Sequence, residues 1–222
     1  MMRLVYHLPL SPFSRKVRLF LAEKKLLFDL RAENVWQRRE QFLAINPAGQ
    51  VPVLVDEGEV IADSTAIGEY LEEKYPTPTL IGNSVLARAE ARRLSLWFDL
   101  KFFQEVTVNI AHEKMMKRLM GQGQPDSERI RVGKENIHYH LEYIGFLTAR
   151  RSWLAGSDLT CADLSAGSQL SVIDYLGDVP WTDHTDAKNW YARLKSRQSF
   201  QPLLTDHMPG VIPSKTYADL DF

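Results

Sequence analysis

Asn46-Pro47-Ala48-Gly49-Gln50-Val51-Pro52-Val53-Leu54-Val55-Asp56-Glu57-Gly58-Glu59-Val60-Ile61-Ala62-Asp63-Ser64 is the stretch on which the fold turns. Its first four residues are turn formers and end a short helix over 37–44. Val51–Val55 and Glu59–Ile61 read as two short strands, with Asp56-Glu57-Gly58 as the turn between them. Asp63-Ser64 then supplies the N-cap signal for a helix running to about Lys74. Toward the N-terminus, Leu4–Leu8 is a strand candidate, and Ser11-Pro12 opens a helix with a capping serine and a proline that needs no N–H. Val17, Phe20 and Leu21 keep helical spacing, and Phe28–Ala32 is a further strand. The order is β-α-β-α-β-β-α, and a mixed sheet flanked by helices satisfies it. The basic run Arg15-Lys16-Val17-Arg18, offset by Glu23, is expected on the solvated face of its helix.

Beyond Lys74 the pattern changes. Tyr75-Pro76-Thr77-Pro78-Thr79 breaks the helix. Residues 1–76 therefore read as one α/β domain, 77–84 as a linker, and 85–222 as an all-helical domain. Helices are expected over 84–120 and 127–148, with further ones near Thr160 and Asp186. Ile130, Ile137, Leu141 and Ile144 mark the buried stripe of the second. Thr160 and Asp163 have the spacing of a capping box, with Asp in place of the usual Glu or Gln. Leu159 and Leu164 have the spacing of its hydrophobic staple. The tail from Pro209 shows no periodicity and is expected to run over the surface.

Composition narrows the function. A net charge of −1 gives no general attraction to nucleic acid or an anionic membrane. The single cysteine, Cys161, excludes an internal disulfide, a CxxC redox pair and a cysteine-built zinc site, and fits a reducing cytoplasm. His138 and His140 lie on different faces of a helix, so no metal site is expected there. No run approaches a membrane span, and Met1-Met2-Arg3 has no apolar stretch of a signal peptide behind it.

Three segments occur in one order: Ser11-Pro12-Phe13-Ser14-Arg15-Lys16-Val17-Arg18, then Asn46–Leu54, then Asp63-Ser64-Thr65-Ala66-Ile67 with Tyr70-Leu71-Glu72 beyond. Together they resemble the glutathione-binding half of the cytosolic glutathione transferases. Trp153-Leu154-Ala155-Gly156 followed by Leu159–Asp163 is similar to the helix-capping segment of that family's second domain. The resemblance implies a thioredoxin-like first domain, a helical-bundle second domain, glutathione as co-substrate, a small hydrophobic electrophile and a homodimer. It implies a cis bond at Val51-Pro52, with Val51 offering its backbone to the cysteinyl part of glutathione. It implies that Ser64 and its helix N-terminus hold the γ-glutamyl carboxylate, and that Asp63 faces the amine. Gln37, Arg38 or Gln50 would reach the glycyl end.

A thiolate at the start of the first helix is favoured by the helix dipole and by a donated hydroxyl hydrogen bond. Two serines compete for that role. Members with a cysteine in this loop show a Cys-Pro-Phe pattern like Ser11-Pro12-Phe13, and serine-type members carry serine at the position matching Ser14. The implied reaction is thiolate attack on an electrophilic carbon. A glutathione-dependent isomerase or dehalogenase on the same scaffold is the first alternative, and a non-catalytic assembly protein is the second. Cys161 stands where the family has an aliphatic residue and is expected to pack as a small side chain. Trp97, Phe98, Phe102 and Phe103 read mostly as core or dimer contacts, and His112, Met115 and Met116 as pocket lining. Asp99 is expected, from relatives, to reach across a dimer.

Overall fold

A computed structural model describes residues 2–220. The first half holds β1 (Arg3–His7), α1 (Pro12–Glu23), β2 (Phe28–Ala32), α2 (Glu40–Ile45), β3 (Val53–Asp56), β4 (Glu59–Ala62) and α3 (Ser64–Lys74). The sheet order is β2-β1-β3-β4. β1 runs parallel to β2, with Val5 opposite Leu30, and antiparallel to β3, with Val5 opposite Leu54. β3 and β4 form the hairpin, Val53 facing Ala62. Its two turn residues, Glu57 and Gly58, both have positive φ (55° and 93°), the geometry that matches strand twist in a two-residue loop. The helix expected over 37–44 starts later, at Glu40, behind a separate turn at Val35–Gln37. Arg38 is left-handed (φ 45°), and no helix continues through that conformation.

The second half is helical throughout. α4 (Val85–Leu96) runs without a break into a π-wound segment, Trp97–Met116, and a last turn, α5 (Lys117–Leu119). α6 (Ser127–Thr148), α7 (Cys161–Tyr175), α8 (Thr185–Lys195) and α9 (Gln201–Leu204) follow. Every residue of α7 is buried. Its serines and glycine allow that: a Cβ at Gly167 would lie 2.2 Å from Leu194 Cδ2. Ser168 and Ser171 return their hydroxyl protons to carbonyls of their own helix, Leu164 O (2.6 Å) and Ser168 O (2.7 Å). Buried hydroxyls so satisfied carry little penalty. Asp163 closes the capping box on the Thr160 N–H (3.0 Å) and also accepts from the Leu154 N–H and Trp190 Nε1 (both 2.9 Å).

One expectation is corrected. The basic run does not face water: Arg15, Lys16 and Arg18 are 0%, 2% and 4% exposed. α1 lies between the sheet and α7, so its polar side needs partners from the helical half. Arg15 and Arg18 share Asp206 (3.1 and 2.8 Å), and Arg15 also donates to Ser171 Oγ (2.8 Å). Lys16 pairs with Asp99 (2.5 Å). The tail from Pro209 runs over the surface as expected, with Ile212 88% exposed, and is anchored there by one buried ring. Tyr217 is 1% exposed, packs edge-on to Tyr175 and donates to Leu203 O (3.0 Å). The Ser214 N–H donates to Tyr175 O (2.8 Å).

Candidate functional site

A cavity of about 710 Å³ opens between the two halves. On one side it is walled by the loops after β1, before β3 and before α3. On the other stands the π-wound segment. π-type pairing is rare and occurs mostly as single turns within α-helices, frequently at functional sites. Here it presents Asp99, Leu100, Phe103, Gln104, Thr107, Val108, His112, Met115 and Met116 to one space.

The sequence candidates divide between cavity and core. Ser11, Gln50, Val51, Pro52, Asp63 and Ser64 line the cavity. Ser14 and Gln37 do not. Ser11 is the N-cap of α1 and accepts from the Ser14 N–H (3.3 Å), which leaves its hydroxyl proton free to donate. Ser14 is fully buried, and its Oγ accepts from the Leu8 N–H (3.4 Å). Gln37 stands in the turn before the left-handed Arg38 and is exposed. The Arg38 guanidinium packs near Gly49, outside the cavity lining.

The Val51-Pro52 bond is cis. Asn46 shapes the approach to it, donating to Gln50 O (2.8 Å) and accepting from the Ala48 N–H (3.3 Å). Asn46 was not among the candidates, although it opens the deciding stretch. Thr107 and Gln104 were also missed; their signal is polar side chains recurring on an otherwise apolar helix. Thr107 donates to Gln169 (2.7 Å). Phe103, His112, Met115 and Met116 line the cavity, whereas Phe98 and Phe102 belong to the core. Trp97 lies against Tyr139, His140 and Tyr143 instead.

The electrostatics are one-sided. Among the described residues no lysine or arginine lines the cavity, while two carboxylates do, Asp99 and Asp63. Asp99 is paired from behind with Lys16 and accepts from Ser165 (3.2 Å). Asp63 (φ 75°) caps α3 itself, its Oδ1 accepting from the N–H groups of Thr65 (2.7 Å) and Ala66 (3.2 Å). Those two donors are thereby withdrawn from any incoming carboxylate. Cys161 is buried away from this space, and burial pushes its thiol up to about 12, so it is a packed side chain and no nucleophile. Among the described residues no group of three or more His, Cys, Asp or Glu could hold a metal. In the same residues no helix is long and apolar enough to cross a membrane.

The model of the glutathione S-transferase N-terminal domain matches residues 5–79. FtsZ-localized protein A of Caulobacter vibrioides is 47% identical over 224 residues, covering 99% of this chain and 98% of that protein. Maleylacetoacetate isomerase of Pseudomonas aeruginosa is 31% identical, covering 75% of this chain and 79% of the isomerase. Among solved structures, a glutathione S-transferase from Rhodospirillum rubrum superimposes with a TM-score of 0.98 at 55% identity, covering 100% of both chains.

Proposed function

The chain belongs to the glutathione S-transferase family, and on that premise we propose that it works by associating with FtsZ rather than by turning over glutathione. The observation that carries this reading is the end-to-end likeness to FtsZ-localized protein A, 47% identical across 98% of that protein. That likeness takes in the tail as well as both halves. A shared fold does not fix function, so the site must decide between binding and chemistry.

The site's charge supports the same reading. Glutathione at neutral pH carries two carboxylates and one ammonium. Among the described residues no lysine or arginine lines the cavity to meet a carboxylate, and Asp63 occupies two N–H donors at the start of α3. A carboxylate that meets no cation and finds those two N–H groups already taken is held less strongly. The test is co-sedimentation with FtsZ polymers assembled with GTP. The chain should pellet in proportion to polymer and stay in solution when FtsZ is unpolymerised. A chain that stays in solution in both cases overturns the reading. The expected homodimer and a cytoplasmic location are part of this proposal, the dimer being open to sedimentation equilibrium.

Glutathione conjugation is the second reading. It is favoured by the convergence of Ser11, Val51-Pro52 and Ser64 on one cavity, and by the likeness to the Rhodospirillum rubrum structure. In that reading Ser11 donates to the glutathione sulfur at the α1 N-terminus and holds it as thiolate, and the apolar wall receives the electrophile. Isomerase or dehalogenase chemistry differs in whether glutathione is consumed. Stoichiometric loss of glutathione against product excludes the isomerase.

A further inference from the structure

We infer that His138 of α6 and His184, the residue before α8, together bind one divalent ion of the zinc class, at a place remote from the cavity lining. The two rings face each other across the seam between the helices. His138 Nδ1 and His184 Nε2 are 2.8 Å apart, with ring centroids at 5.0 Å. One nitrogen donates and the other accepts, so a single proton lies between two atoms that each offer a lone pair in the right tautomer. Neutral imidazole is the commonest side-chain metal ligand and suits zinc, nickel and copper. Zinc–nitrogen bonds of about 2.0–2.1 Å at a tetrahedral angle put two ligand nitrogens about 3.3 Å apart, so the rings need to part by only about half an ångström. The proton leaves the gap for the outer nitrogen of its own ring, and both imidazoles stay neutral. Both side chains are half-buried, which leaves water free to complete the coordination. Glu142, one turn along α6 from His138, and Asp183 bear on His184 with negative charge, a field that favours a dication there. His140 takes no part: it is fully buried and engaged with Trp97 and Glu105. The ion ties the entry of α8 to the middle of α6.

Titration of the untagged chain with Zn²⁺, followed by calorimetry and by the imidazole signals in heteronuclear NMR, tests this. One equivalent should bind, shifting the signals of His138 and His184 and leaving those of the other four histidines in place. Mg²⁺, which takes oxygen ligands, should produce neither heat nor shift. The thermal midpoint should rise with Zn²⁺ and stay level with Mg²⁺, because an ion held only by the folded chain stabilises it. His138→Gln and His184→Gln each leave a polar amide at the seam, and the His184 side chain makes no capping bond that the change would break. Loss of a partner that merely orients a ligand costs about ten-fold or more in metal affinity, so loss of a ligand itself should weaken Zn²⁺ binding by at least that factor. His207→Gln, at an exposed histidine elsewhere, should change nothing. The NMR shifts of the unaltered chain decide the matter however well either variant folds. Three results overturn the inference: no Zn²⁺ binding, shifts at other histidines in place of His138 and His184, or an affinity unchanged in both seam variants. None of them bears on co-sedimentation with FtsZ.

Discussion

The Lys16 ammonium lies 2.5 Å from the Asp99 carboxylate, joining α1 of the sheet half to the π-wound helix of the other half beneath the cavity. Ser95 and Ser165 complete the shell, their hydroxyls 3.4 and 3.2 Å from the same Asp99 oxygen. Removing one partner of a buried pair strands a charge, at a cost of about 3–5 kcal/mol. Lys16→Met should therefore destabilise strongly, whereas Lys16→Met with Asp99→Leu should recover most of the loss. Urea unfolding of the two variants checks this, and equal losses in both would contradict it.

The two serines of the first loop should separate by energy. Ser11→Ala removes an N-cap at the cavity edge and should cost about 1 kcal/mol. Ser14→Ala leaves the Leu8 N–H unsatisfied in the core and should cost about 1–3 kcal/mol. Only Ser11→Ala should alter any ligand affinity of the cavity. Thermal unfolding of both variants, with titration of each by glutathione, measures the split.

Acid should weaken the helical half through His140. It accepts from Trp97 Nε1 at Nδ1 (3.1 Å) and meets Glu105 at Nε2 (3.0 Å), an arrangement that needs a neutral ring. Burial, opposed by Glu105, brings its pKa down to about 4 from an ordinary 6.5. The unfolded chain then binds more protons between those values. Stability from this group is full above pH 6.5 and is lost as pH falls toward 4, by up to about 1.4 kcal/mol per unit. His7, also about 4 by burial, acts in the same direction. His140→Gln should flatten the slope of unfolding free energy between pH 6.5 and 5.

The tail should be integral to the fold. Tyr217→Ala removes a fully packed ring that contacts Tyr175 and should cost about 3–5 kcal/mol, as large core truncations do. Tyr217→Phe keeps the ring, loses the hydroxyl's bonds to Leu203 O and to Arg15, and should cost about 1–3 kcal/mol. Denaturant midpoints with an unchanged slope would show both effects to be on stability alone.

Much of this architecture was legible because its signals are local. Ser11-Pro12, Asp63-Ser64 and Thr160–Asp163 each state a helix start within four residues, and the helices begin there. What was illegible depends on partners distant in sequence. A basic run on an amphipathic helix reads as a wet face until Asp99 and Asp206, 83 and 188 or more residues away, fold onto it. The tail's anchor was illegible for the same reason: Tyr175 and Leu203 receive Tyr217, and no periodicity announces that. At the cavity, residue types were readable but exposure was not. Ser11 and Ser14 lie one helical turn apart, and only the packing against Leu8 puts one in the core.

The measurement that bears most directly on the central claim is a binding isotherm of this chain on GTP-assembled FtsZ polymers, with glutathione conjugation assayed in the same preparation. Saturable binding to polymer is expected, unchanged by millimolar glutathione, with no conjugation above the uncatalysed rate. Catalysed consumption of glutathione by a chain that leaves the polymer unbound would contradict it.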